Sequence, residues 1–249
     1  MTSMARSPSS RPRLAPVDRG TLEERVYRQL REALMKGHFA PGDVVTLRSL
    51  ADAFGTSPMP VRAALSRLVA EQAFVVRPNR SMIVPLLSAE RLDEIRHIRV
   101  ALEGMLTEQA GGRIAPAQVD KIERLHDDMC DRVAAGDVKR YLERNQEFHF
   151  SIYAAANMPA ALQLVQNMWL QVGPTLNFLL TKEDISLHSG PLSAFEPTDN
   201  HASAVEALRR RDGPAARRAI EADISGSADY LLSLDHFASG EASTKMSDA

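Results

Sequence analysis

A single cysteine, Cys130, stands in 249 residues. It excludes an internal disulfide framework and the paired-cysteine zinc motifs. No run of about 18 apolar residues occurs, so a membrane-spanning helix is excluded. The first residues lack the apolar core of a secretory signal, and the expected compartment is the cytoplasm. Also missing are a glycine-rich phosphate loop and a nucleophile elbow. No organic cofactor is expected.

What is present divides unevenly. Net charge is −2 over the chain, yet residues 1–85 hold 13 Lys/Arg against 7 Asp/Glu while residues 86–249 hold 17 against 25. The length suits two cores. We expect flexible tails at 1–17 and 239–249, a basic N-terminal domain at 18–85 and an acidic helical domain at 86–238.

The stretch Thr46–Val84 is the most informative. Leu47, Leu50, Ala51 and Phe54 recur at i, i+3, i+4 and i+7, the apolar stripe of a short amphipathic helix that leaves Arg48 outside. Gly55 permits a tight turn, Thr56-Ser57 offers an N-cap oxygen and Pro58 sits where a missing N–H costs nothing. A second helix follows, with Val61, Ala64, Leu65 and Leu68 inward and Met59, Arg62 and Ser66 on its outer face. Phe74–Arg77 and Met82–Val84 then read as strands joined by the turn Pro78-Asn79-Arg80-Ser81, a hairpin with a cationic tip. Upstream, Leu22, Val26, Leu30 and Leu34 predict a supporting helix capped at Gly37. Helix, turn, helix and basic wing in this order predict a winged helix-turn-helix that binds double-stranded DNA. Its candidate contacts are Arg48, Thr56, Ser57, Met59, Arg62, Ser66, Arg77, Asn79 and Arg80.

Beyond Pro85 the patterns predict six helices, at 88–111, 116–135, 138–156, 159–181, 198–212 and 214–236, with a loop at 182–197. This is an antiparallel all-α bundle, a fold that places ligand sites between facing helices. Polar residues interrupt its apolar stripes. Arg99 falls within the stripe Leu92, Ile95, Leu102, Leu106, and a buried guanidinium needs an anion: either Glu103 at i+4 or an effector carboxylate. Asn145 and His149 share the stripe Leu142, Asn145, His149, Ile152, Ala156. His201 opens a stripe with Ala204, Val205 and Leu208, and Asp223 follows Ile220 on the last helix. Asn145, His149, His201 and Asp223 are thus candidate ligands for zinc, nickel or manganese, with Arg99 and Asn145 as candidate effector contacts. A metal-free polar pocket is the alternative.

Leu47-Arg48-Ser49-Leu50-Ala51 and Ser57-Pro58-Met59-Pro60-Val61-Arg62-Ala63-Ala64-Leu65 resemble the signature of the GntR transcription regulators. The later segments resemble the FadR branch of that family, whose C-terminal part is an FCD ligand-binding domain, including a VanR-like subgroup with six C-terminal helices. The resemblance implies operator contacts by Arg48 and Arg62. Pro58 stands where some members carry a further arginine, and Asn79-Arg80-Ser81 stands where the wing usually holds glycine. Asn145-Gln146-Glu147-Phe148-His149 resembles the segment whose metal-binding members have Asp four residues before His. Here Asn145 takes the Asp position and Asp223 the last His position, so the set keeps a single carboxylate. The implied protein is a homodimeric repressor on a palindromic operator, responding to a small carboxylate. The alternatives are a metal-dependent enzyme and a constitutive architectural DNA-binding dimer.

Overall fold

The computed structural model describes residues 22–179 and 199–234. The expected tails and the 182–197 loop lie outside them. Helix α1 (Leu22–Met35) precedes a two-residue strand β1 (Val44–Val45), then α2 (Leu47–Phe54), α3 (Pro58–Ala70), β2 (Val75–Val76) and β3 (Met82–Ile83). The hairpin gains a third strand that the periodicity did not predict. β3 lies between β1 and β2, antiparallel to both, with Val44 and Val75 each opposite Ile83. The core of this head is Val26, Leu30 and Leu34 of α1 against Val61, Ala64, Leu65 and Leu68 of α3, closed by Phe74 and Val84.

The bundle comprises α4 (Ala89–Gly111), α5 (Pro116–Ala134), α6 (Val138–Ala155), α7 (Pro159–Val172), α8 (Asp199–Arg209) and α9 (Gly213–Ser233). The fold is mainly helical, with a small antiparallel wing in the head. The helix predicted over 159–181 stops at Val172 and continues as a 3₁₀ turn, Gly173–Phe178. The reason is partly local, because Pro174 has no N–H for the α-helical hydrogen bond, and partly tertiary, because a Cβ on Gly173 would lie 2.7 Å from the Leu34 carbonyl oxygen. The chain tightens where α1 of the head is pressed against it.

This joint seats the head on the bundle. Arg31 of α1 donates to the side-chain oxygens of Gln166 and Asn167 on α7, at 3.1 and 3.2 Å. The Asn177 amide nitrogen lies 3.0 Å from Gly37 O and 3.2 Å from Phe39 O. His38 Nε2 meets Glu143 Oε1 of α6 at 2.8 Å. One helix, α6, therefore touches the head with Glu143 on one side and carries Asn145 and His149 into the core on another.

Candidate metal centre and nucleic-acid interface

The reading head is built locally. Thr46 caps α2: its hydroxyl accepts from the Ser49 N–H at 3.0 Å, and the Ser49 hydroxyl oxygen accepts the Thr46 N–H at 3.1 Å. Two otherwise unpaired amides are satisfied by this reciprocal pair. Gly55 ends α2 in the left-handed region, φ 60°, where glycine carries no Cβ penalty. Ser57 holds the N-cap position of α3, yet its side chain makes no capping hydrogen bond. The N-cap oxygen expected from Thr56-Ser57 is thus not used inside the protein, and the Ser57 hydroxyl stays exposed at the mouth of α3. Met59, Arg62 and Ser66 are exposed along α3 as their spacing predicts. Arg62, Ser66 and Arg80 line one cleft between α3 and the wing, with Leu47, Val76 and Met82 at its base. Arg48 is 93% exposed and only 4.0 Å from Asp52, a separation at which a surface ion pair restrains little.

The wing turn closes without glycine. Arg80 takes φ 63°, and the Asn79 side-chain oxygen accepts from the Ser81 N–H at 3.0 Å and the Ser81 hydroxyl at 2.6 Å. This side-chain turn holds Arg80 at the tip in a conformation that costs an L residue about 1–2 kcal/mol. Arg77 closes the base, its N–H donating to Ser81 O at 2.9 Å. Arg80→Gly should stabilise the folded protein by about 0.5–1 kcal/mol in urea unfolding. The same variant should weaken DNA binding and lower the salt slope of log K by about one, having lost one phosphate partner. Unchanged salt dependence would remove Arg80 from the interface.

The bundle holds the second site. His149 of α6, His201 of α8 and Asp223 of α9 each bring a ligand atom inward, all within 4.8 Å of one another. Nε2 of His201 is 3.3 Å from Nε2 of His149 and 3.2 Å from Asp223 Oδ1, and His149 Nε2 is 3.4 Å from Asp223 Oδ2. Asn145, buried, stands one turn before His149 on the same face of α6. Phe148 and Trp169 pack on the imidazoles and keep the surroundings apolar.

A chain of hydrogen bonds fixes His149. Tyr153, one turn later, donates its only proton to Glu103 Oε2 at 2.6 Å, so at 2.9 Å its oxygen must accept from His149 Nδ1. The proton therefore sits on Nδ1. Nε2 keeps its lone pair, aimed at His201 and Asp223, which is how a partner behind a metal-binding histidine presets its tautomer. Burial lowers the pKa of His149 despite the Asp223 carboxylate nearby, which favours the neutral ring. Burial opposes ionisation of Asp223, but His201, its Nε2 3.2 Å from Oδ1, outweighs it and the carboxyl is held well below its ordinary range. Two imidazoles and one carboxylate that bring ligand atoms within 4.8 Å of one another fit a divalent transition metal, with the lone pair of His149 already turned inward.

Glu103 is the hub behind this chain, fully buried and accepting from Arg99 Nε at 2.6 Å, Arg99 Nη2 at 3.3 Å, Tyr153 and Trp169 Nε1 at 3.1 Å. The inner stripe of α4 runs Leu92, Ile95, Arg99, Glu103, Leu106, with Leu102 only partly buried. Arg99 also lies over the Trp169 ring, 4.8 Å from its centroid. Burial opposes its charge, yet Glu103 raises its pKa above the ordinary value. The i+4 anion weighed from the sequence is therefore in place. Glu103 as a shared acceptor for Tyr153 and Trp169 was not legible, although Tyr153 continues the i+4 series Asn145, His149. Tyr153→Phe removes the acceptor for His149 Nδ1–H. It should weaken metal binding about 10–100-fold by competition with a chelating dye, and unchanged affinity would show that the hydrogen bond does not orient the ring.

Comparison with known proteins places both halves. Residues 22–84 match "Bacterial regulatory proteins, gntR family" and residues 94–226 match the FCD domain. The HTH-type transcriptional regulator McbR of Escherichia coli K12 is 30% identical over 200 residues, 80% of this chain and 88% of that protein. The HTH-type transcriptional repressor RspR of the same organism is 23% identical over 199 residues, covering 80% and 84%. The solved structure of E. coli McbR/YncC superposes with a TM-score of 0.76 at 27% identity, over 86% of this chain and 98% of that one.

Proposed function

Because this chain belongs to the GntR family of bacterial regulatory proteins and carries an FCD domain, we propose that it is a metal-dependent, ligand-responsive repressor. It is a DNA-binding transcription regulator, and the family is not one of enzymes, which removes the metal-dependent enzyme considered from the sequence. The name of the relative RspR supports repression as the sign of control. The observation that carries the reading is the convergence of His149, His201 and Asp223 with the lone pair of His149 preset. Asn145 is the fourth candidate ligand. A bound zinc, nickel or manganese ion would supply positive charge and open positions for a small carboxylate.

Glu103 engages the Nε and Nη2 side of Arg99, so we assign Arg99 first to positioning Glu103 and leave only its remaining N–H groups for an incoming carboxylate. The route to DNA runs through α6, which links the buried ligands to His38 of the head through Glu143. An effector that binds one placement of the head better than another shifts operator affinity by that difference. A homodimer on a palindromic operator follows from the small surface of one reading head. The buried polar cluster argues against a purely architectural role, since a passive interface gains more from apolar groups.

The test is operator binding by metal-loaded full-length protein across a panel of small organic acids, on a duplex selected from a random library. At least one acid should shift affinity about 10-fold, within the usual range of allosteric coupling, and His201→Ala protein should lose that response. Equal operator affinity with and without metal and every acid would contradict the proposal.

A further inference from the structure

The reading end of α3 is short of hydrogen-bond donors and carries a large apolar side chain. Pro58 and Pro60 occupy its first turn and have no N–H. Of the four amides a helix normally presents at its N-terminus, here those of residues 57–60, only Ser57 and Met59 have an N–H to offer. No Lys or Arg falls between Ala53 and Val61. At this place Met59 is 71% exposed, the largest value among the exposed large hydrophobic side chains of the described residues. It shares its helix face with Arg62 and Ser66, both exposed.

A helix lying in the major groove addresses base edges with its N-terminal residues. The groove offers one apolar group, the C5 methyl of thymine. A flexible thioether with no internal packing, flanked by two prolines that fix its backbone, suits that methyl and no polar base edge. We propose that Met59 reads a thymine methyl, next to the base pair addressed by Arg62. Three residues of helix span about 4.5 Å and base pairs stack about 3.4 Å apart, so the thymine lies within one to two pairs of the Arg62 contact. This assignment rests on the DNA-binding activity of the family and is independent of the metal centre.

The test starts from half-sites selected from a random duplex library with the full-length protein. Each thymine is then replaced singly by deoxyuridine, which removes only the methyl. One replacement per half-site, within two pairs of the position whose mutation is buffered in Arg62→Ala, should weaken wild-type binding about 3–5-fold, the worth of one buried methyl group. Met59→Ala should bind the unmodified site with the same loss and be indifferent to that replacement, while Met59→Leu should keep the sensitivity. Met59 is exposed, so unfolding midpoints should match the wild type. A selected half-site without thymine there would overturn the proposal. So would a wild type indifferent to every deoxyuridine, or a Met59→Ala protein as sensitive as the wild type.

Discussion

Glu103→Ala is expected to destabilise the protein by about 3–5 kcal/mol, the cost of leaving one member of a buried ion pair without its partner. Arg99 would keep its charge in a site where only 6% of the residue reaches solvent. The Tyr153 hydroxyl and Trp169 N–H would each lose their acceptor at the same time. Most domains are stable by only about 5–15 kcal/mol, so the loss reaches a large share of the total. The double variant Arg99→Leu, Glu103→Gln should recover most of it, because the glutamine oxygen still accepts from Tyr153 while the stranded charge is gone. Urea unfolding of the single and double variants checks this. A single variant within about 0.5 kcal/mol of wild type, the range of ordinary surface changes, would mean that Glu103 is not the hub of the network.

Asp223→Ala is expected to abolish metal retention. Among the described residues Asp223 is the only carboxylate in the cluster, and the two remaining imidazoles face one another with Nε2 atoms 3.3 Å apart. Two neutral nitrogen donors hold a divalent ion far less tightly than a set that neutralises part of its charge. Asn145→Asp places a second carboxylate one turn before His149, and in the wild-type background it should tighten binding. In the Asp223→Ala background the same change should restore part of the loss, because the negative charge returns on a neighbouring helix. Dialysis to equilibrium followed by elemental analysis reads all four proteins. Full retention by Asp223→Ala would remove it from the ligand set.

How much of this was readable from the chain depends on how local each feature is. α2, its turn and α3 follow from residues close in sequence: the Leu47, Leu50, Ala51, Phe54 spacing, Gly55 with its positive φ, and Pro58 at the start of α3. The inward positions of His149, His201 and Asp223 were legible for the same reason, each lying on a stripe with 3.6-residue periodicity. The features that escaped depend on distant partners. The pairing of Glu103 with Arg99 was legible as an i,i+4 spacing, but its further role as acceptor for Tyr153 and Trp169, 50 and 66 residues away, was not. The close approach of α1 to Gly173 likewise involves residues more than a hundred positions upstream, although Pro174 beside it is a local signal for the end of α7. β1 has two residues, too few for alternation to register, and exists because β3 offers its free edge.

The most direct measurement is the metal content of full-length wild-type protein, purified without a metal-affinity tag, exposed in turn to zinc, nickel and manganese, and then freed of loose metal by gel filtration. The account predicts about one divalent ion per chain for at least one metal, bound at His149, His201 and Asp223 and absent from a folded His149→Ala, His201→Ala protein treated identically. Well-folded wild-type protein that emerges without metal from all three exposures would contradict it.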